Sequence, residues 1–191
     1  MKKLIAVMAL AAGIFSATAP AHASEETLAV SIFNSTLSSI SPLDLINWRI
    51  GDEMNYTISL VLGSGTAKKF VTSDEGTALW FTQNINILGQ NQKVEALIQK
   101  ADGKILKMKV NGQDQAVPTP HLEIIDQEVT SITVPAGTFD CVHVRAKSDG
   151  KKVEIWANPA QTVMDGSLKQ VADSGLIGDM TLILTSFKKG T

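Results

Sequence analysis

The sequence predicts a mainly β protein: a single, strongly bent antiparallel sheet with one or two short helices at its N-terminal end. Three observations predict it. Ten segments of strand length and composition occur, at 53–62, 67–72, 77–88, 92–100, 104–110, 122–134, 138–147, 151–157, 167–173 and 179–187. Four pairs suited to tight hairpins punctuate them: Asp102-Gly103, Asn111-Gly112, Asp149-Gly150 and Asp165-Gly166. Type I′ turns need positive φ at both central residues, which these pairs supply. Strands and helices do not alternate along the chain, which argues against a parallel sheet.

Residues 1–23 read as an export leader. Lys2 and Lys3 form its charged start, Leu4 to Phe15 is apolar or small throughout, and Ala21-His22-Ala23 fits a cleavage site. Twelve such residues are too few to span a bilayer, so a cleavable signal is expected rather than a transmembrane anchor. The one cysteine, Cys141, lies far from the cleavage point, so no lipid anchor is expected there. The expectation is therefore a soluble periplasmic protein, residues 24–191, folded as one antiparallel β domain. Loss of Lys2 and Lys3 leaves 15 basic and 19 acidic residues, a formal charge of −4. A mildly acidic chain without a basic cluster argues against nucleic acid as a partner. A lone cysteine makes no internal disulfide.

After the leader, Leu28, Ile32, Phe33, Leu37 and Ile40 recur at roughly helical spacing and Pro42 ends the run. Ser41-Pro42-Leu43-Asp44 then reads as the cap and first turn of a second short helix ending near Trp48.

Two registers follow from the hairpin pairs. A two-residue loop at Asp149-Gly150 places Ala146 opposite Val153, Val144 opposite Ile155 and Val142 opposite Ala157, an apolar face. The other face then pairs Arg145 with Glu154 and His143 with Trp156. A one-residue slip would turn every valine outward, so this register is strongly specified. The same reasoning at Asp102-Gly103 places Leu97 opposite Met108, with Leu106 and Val110 along the same side. Asn111-Gly112 then brings Asp114 across from Lys109. Pro135-Ala136-Gly137 reads as a tight strand connection, Gly51-Asp52 as a turn and Gly63-Ser64-Gly65 as a hairpin tip.

Three motifs occur in order: Trp48-Arg49-Ile50-Gly51-Asp52 followed by Tyr56, then Val134-Pro135-Ala136-Gly137-Thr138-Phe139, then Trp156-Ala157-Asn158-Pro159. Together they resemble a diffuse group of uncharacterised exported bacterial β-proteins, whose fold is similar to the half-barrel of the lipoprotein-localisation carriers. Ala157 departs from the aromatic that many of that group carry after the tryptophan. The resemblance implies a half-barrel or open barrel whose concave face is covered by helices, a ligand or a partner.

Catalytic chemistry is thin. His121 and His143 lie in no metal-ligand spacing, and no Gly-x-Ser-x-Gly elbow occurs. Cys141 and His143 share a strand face two residues apart, which fits either a thiolate–imidazole pair or an inert half-buried thiol; a cysteine between mid-strand valines favours the second. No catalytic residue, metal or cofactor is expected, and the protein is read as a non-enzyme. The reading is a binding or carrier-like module that holds a lipid, a lipoprotein or another apolar or amphipathic ligand on the concave face. Trp48, Tyr56, Trp80, Phe81 and Trp156 are the candidate lining residues, because aromatic rings offer large apolar area with a polar edge. A cell-envelope hydrolase with dispersed residues, and an assembly subunit that uses an edge strand, are the alternatives.

Overall fold

The computed structural model describes residues 48–117, 122–148, 150–173 and 178–191. The expected leader, the helices expected before Trp48, His121 and Asp149 lie outside the described residues. Eleven strands are present: β1 (Glu53–Leu60), β2 (Gly63–Asp74), β3 (Ala78–Ile87), β4 (Gln90–Gln99), β5 (Ile105–Val110), β6 (Gln113–Gln115), β7 (Leu122–Val134), β8 (Gly137–Ser148), β9 (Lys151–Ala157), β10 (Ser167–Asp173) and β11 (Asp179–Lys188). They form one antiparallel sheet in the order β6-β5-β4-β3-β2-β1-β11-β10-β9-β8-β7. The sheet is open, because its end strands β6 and β7 do not pair. Five ladders carry a register shift, at Asn55/Tyr56, Val71/Ser73, Leu97/Ile98, Ile124/Asp126 and Ser167/Lys169. Each such bulge bends its strand and adds local twist, which is how so wide a sheet curves.

Alternation decides the inner, concave face. Met54, Tyr56 and Ile58 of β1 share it with Ala67, Lys69 and Val71 of β2, with Leu79, Phe81, Gln83 and Ile85 of β3, and with Val94, Ala96 and Ile98 of β4. All of them are buried. Leu182 and Leu184 of β11 continue the face on the other side of β1. At the free end of the hairpin β7–β8, Phe139 packs edge-on against Phe187 of β11, ring centroids 6.2 Å apart.

The β8–β9 ladder has the expected register, with Val144 opposite Ile155, Arg145 opposite Glu154 and His143 opposite Trp156. Asp114 stands across from Lys109 as expected. Val134 pairs with Gly137 around a two-residue turn at Pro135-Ala136. Gly51 turns with φ 86°, and Asp52 fastens that turn by accepting from Arg49 N at 2.8 Å and from Gly190 N at 2.8 Å.

Three expectations are corrected. Leu97 faces Lys107, and Ala96 faces Met108: the loop at Asp102-Gly103 is wider than two residues, since Gln99 N bonds Lys104 O at 2.8 Å, and the bulge at Leu97/Ile98 then leaves Leu106 without a partner and shifts the ladder by one residue. Leu106, expected beside Met108, is consequently exposed. Gly63-Ser64-Gly65 begins β2, and the hairpin tip is Val61-Leu62, since Leu60 pairs with Gly63. Asp165-Gly166 makes no hairpin between adjacent strands. It ends a longer link from β9 to β10 in which Asp165 turns inward.

Candidate functional site

The link 158–166 brings a carboxylate to the inner face. Its neck is closed by Asn158 N donating to Gly166 O at 2.9 Å. Gly166 has φ 67°, and a Cβ there would stand 2.1 Å from Pro159 N, so only glycine permits the approach. Next to it, Asp165 accepts from Lys69 Nζ at 3.0 Å, and both side chains are fully excluded from solvent. Lys69 Nζ also lies 4.7 Å from the centre of the Tyr56 ring. Tyr56 donates its hydroxyl to Ser167 O at 2.8 Å, and Gln170 Nε2 donates to Ser167 Oγ at 3.0 Å. Burial pushes the Lys69 ammonium down from its ordinary pKa, with Asp165 opposing the fall. Burial pushes the Tyr56 phenol well up, and the Asp165 charge adds to this. The phenol is thus held protonated beside a charge-balanced pair, an arrangement suited to fastening the link rather than to proton transfer.

The five candidate lining residues divide between the two faces. Trp48, Tyr56 and Phe81 are buried together at the inner face, where Trp48 and Phe81 have ring centroids 5.5 Å apart. Trp80 lies on the outer face, where Nε1 donates to Glu75 Oε1 at 2.8 Å and Lys109 Nζ stands 5.8 Å from the ring. Trp156 is also outside, stacked on His143 at 3.9 Å and 11°, with Lys169 Nζ 4.6 Å from its ring. Adjacent residues of a strand point to opposite faces, so Trp80 and Phe81 could not both line one groove.

Sequence reasoning missed Gln83. It sits on the inner face two residues from Phe81, opposite Lys69 on one side and Val94 on the other. Its side chain is fully buried, and neither Nε2 nor Oε1 has a hydrogen-bond partner. Among the described residues it is the one side chain with both polar atoms in that state. Trp48 Nε1, on the same face, is buried and unpartnered as well. An orphaned buried polar group destabilises by about 1–3 kcal/mol, so two such residues on one buried face need an explanation. The available signal was alternation: Leu79, Phe81, Gln83 and Ile85 form one row. Lys69 was legible in the same way, between Ala67 and Val71.

On the outer face His143 is 5% exposed. Its ring nitrogens meet Glu128 Oε1 at 3.2 Å and Glu154 Oε2 at 2.9 Å. Arg145 donates to Asp126 at 2.8 Å and to Glu128 at 2.6 Å. Both imidazole nitrogens are therefore engaged by carboxylates rather than by Cys141. That thiol is buried, and burial, with Asp140 adding, pushes its pKa up, away from the thiolate a nucleophile needs. A cleft of about 750 Å³ opens across β1–β4, lined largely by polar side chains including Asn55, Thr66, Lys68, Asn84, Asn86 and Lys93.

No protein-family model matches this chain, and no curated protein matches it in sequence. Among solved structures it is similar to MucB, at 11% identity and a TM-score of 0.43, over 91% of this chain and 61% of that one. It is similar to MucB in complex with MucA(peri), at 11% identity and a TM-score of 0.45, over 78% and 54% of the two chains. It is also similar to the Pseudomonas aeruginosa MucA/MucB complex, at 10% identity and a TM-score of 0.46, over 88% and 58%. The chain thus spans little more than half the length of those proteins. Likeness at this level assigns it neither a family nor a partner. Among the described residues no helix is long and apolar enough to cross a membrane.

Proposed function

We propose that this protein is a periplasmic binding or carrier-like module that holds an apolar or amphipathic ligand or partner on the inner face of its curved sheet. The observation that carries the reading is Gln83. A buried amide with two unpartnered atoms, on the same face as an unpartnered indole N–H and in a row with Phe81 and Ile85, offers hydrogen bonds within a largely apolar face. That is the combination an amphipathic molecule requires: area for its tail and fixed donors and acceptors for its head. Trp48, Tyr56 and Phe81 belong to this site in the reading, while Trp80 and Trp156 serve the opposite face.

Native mass spectrometry of the protein purified from its own compartment tests the proposal, together with dodecanoate titration followed by tryptophan fluorescence. A retained mass above that of the polypeptide, displaced by dodecanoate with a change in emission, is the expected result. A bare polypeptide mass and a flat titration would sink it.

A further inference from the structure

The two ends of the sheet are finished differently. At one end stands β6, three polar residues long. At the other stands β7, thirteen residues long, with no strand on its far side among the described residues. Alternate residues of such a strand direct N–H and C=O groups away from the sheet, and a long free edge is a template for another strand. Proteins blunt such edges with lysine, proline, bulges or a cover. The sequence from Leu122 to Val134 contains no Lys, Arg or Pro, and every residue from Glu123 to Val129 is exposed. One bulge, at Ile124/Asp126, interrupts the ladder, which leaves the nine residues from Asp126 to Val134 regular.

The two faces of this edge differ in chemistry. Val129 is 84% exposed and stands opposite Val142, itself 41% exposed, on the side that continues the inner face through Ala157. Asp126 and Glu128 project on the other side, opposite Arg145 and His143. There three carboxylates, those of Asp126, Glu128 and Glu154, outnumber the two basic side chains they meet, Arg145 and His143, so the cluster keeps net negative charge. Two copies paired through β7 would set these acidic rims side by side, and like charges facing across a ladder are destabilising.

We propose that the β7 edge accepts an extended segment of a partner protein as an added strand. The segment alternates basic side chains, set over Asp126 and Glu128, with apolar ones set over Val129. Main-chain hydrogen bonds to the free edge supply affinity, and the alternation supplies selectivity. This surface is distinct from the Gln83 site and does not depend on it.

The test uses the full chain and an acetylated, amidated nine-residue peptide alternating lysine and valine, followed by fluorescence anisotropy and amide hydrogen exchange. The peptide is expected to bind, to slow exchange of amides between Asp126 and Val134, and to weaken roughly tenfold or more when salt rises to about 0.5 M, where charges a few ångströms apart are screened. Methylation of every second peptide nitrogen abolishes binding. Val129→Lys does so too, with an unchanged melting temperature because the side chain is exposed. The proposal is overturned by equal binding of a glutamate–valine peptide, by binding without protection of β7, by no binding, or by a dimer that Val129→Lys dissociates, which would make a second copy the occupant.

Discussion

Lys69 and Asp165, 96 residues apart, meet at 3.0 Å inside the sheet with no solvent exposure on either side chain. The contact fastens the link between β9 and β10 onto β2, two segments that share no ladder. It also explains why Gly166 must be glycine: the link closes tightly at its neck so that Asp165 can turn inward.

Asp165→Asn leaves the Lys69 ammonium buried without its counter-charge, and destabilises by about 3–5 kcal/mol. A double variant, Lys69→Met with Asp165→Leu, recovers most of that loss, because paired apolar replacements remove both desolvation penalties. The single loss also depends on pH. Burial lowers the folded Lys69 pKa and Asp165 opposes the fall, so in Asp165→Asn it drops further; between the two folded values the variant gains stability with rising pH and the natural protein does not, so the deficit is smaller at about pH 9 than at about pH 7. Urea melts of the three proteins at both pH values check this; a double variant no better than the single one would contradict it.

Phe81→Ala removes a fully buried ring and is expected to destabilise by about 3–5 kcal/mol. Trp80→Ala, one residue away but on the outer face, leaves no internal cavity and should lose less than half as much. Denaturant midpoints of the two variants measure the difference, and equal losses would mean that both rings belong to one core.

On the acid side, the His143 imidazole first and the Arg145 guanidinium second hold the Glu128 carboxyl below its usual range. A depressed carboxylate contributes stability that is present above its unfolded pKa of about 4.3 and is lost as pH falls through the folded value. Melting temperature against pH should therefore fall less steeply below about pH 4 in Glu128→Gln than in the natural protein. Parallel curves would show that this carboxylate does not couple to folding.

Local chemistry made much of the fold readable. Alternation on both sides of Gly150 defined the β8–β9 register, and Asn111-Gly112, with φ of 51° and 82°, turned as its residues demand. The misreadings have physical causes. Asp165 is a turn former by type, but the buried Lys69 draws it inward, and no local pattern reports a partner 96 residues away. Leu88 turns at φ 51° ahead of Gly89, a conformation that leucine rarely adopts and the sequence does not announce. The β1–β2 tip formed at Val61-Leu62, apolar and exposed, because register placed Leu60 against Gly63. Of the five candidate lining residues, Trp48, Tyr56 and Phe81 share the inner face, whereas strand parity puts Trp80 and Trp156 on the other, which a count of aromatics alone does not report. Gln83 was passed over because amides usually face water.

The claim that Gln83 is a ligand-facing amide, and not an inert flaw in the core, is tested most directly by Gln83→Leu. Replacing an orphaned buried amide with an apolar side chain of similar volume is expected to raise stability by about 1–3 kcal/mol. If the amide also recognises the polar head of a ligand, the same variant should bind dodecanoate about tenfold more weakly, the equivalent of one lost hydrogen bond of about 1.4 kcal/mol. Higher stability with weaker binding is the result predicted; undiminished dodecanoate affinity in a stably folded variant would contradict the account.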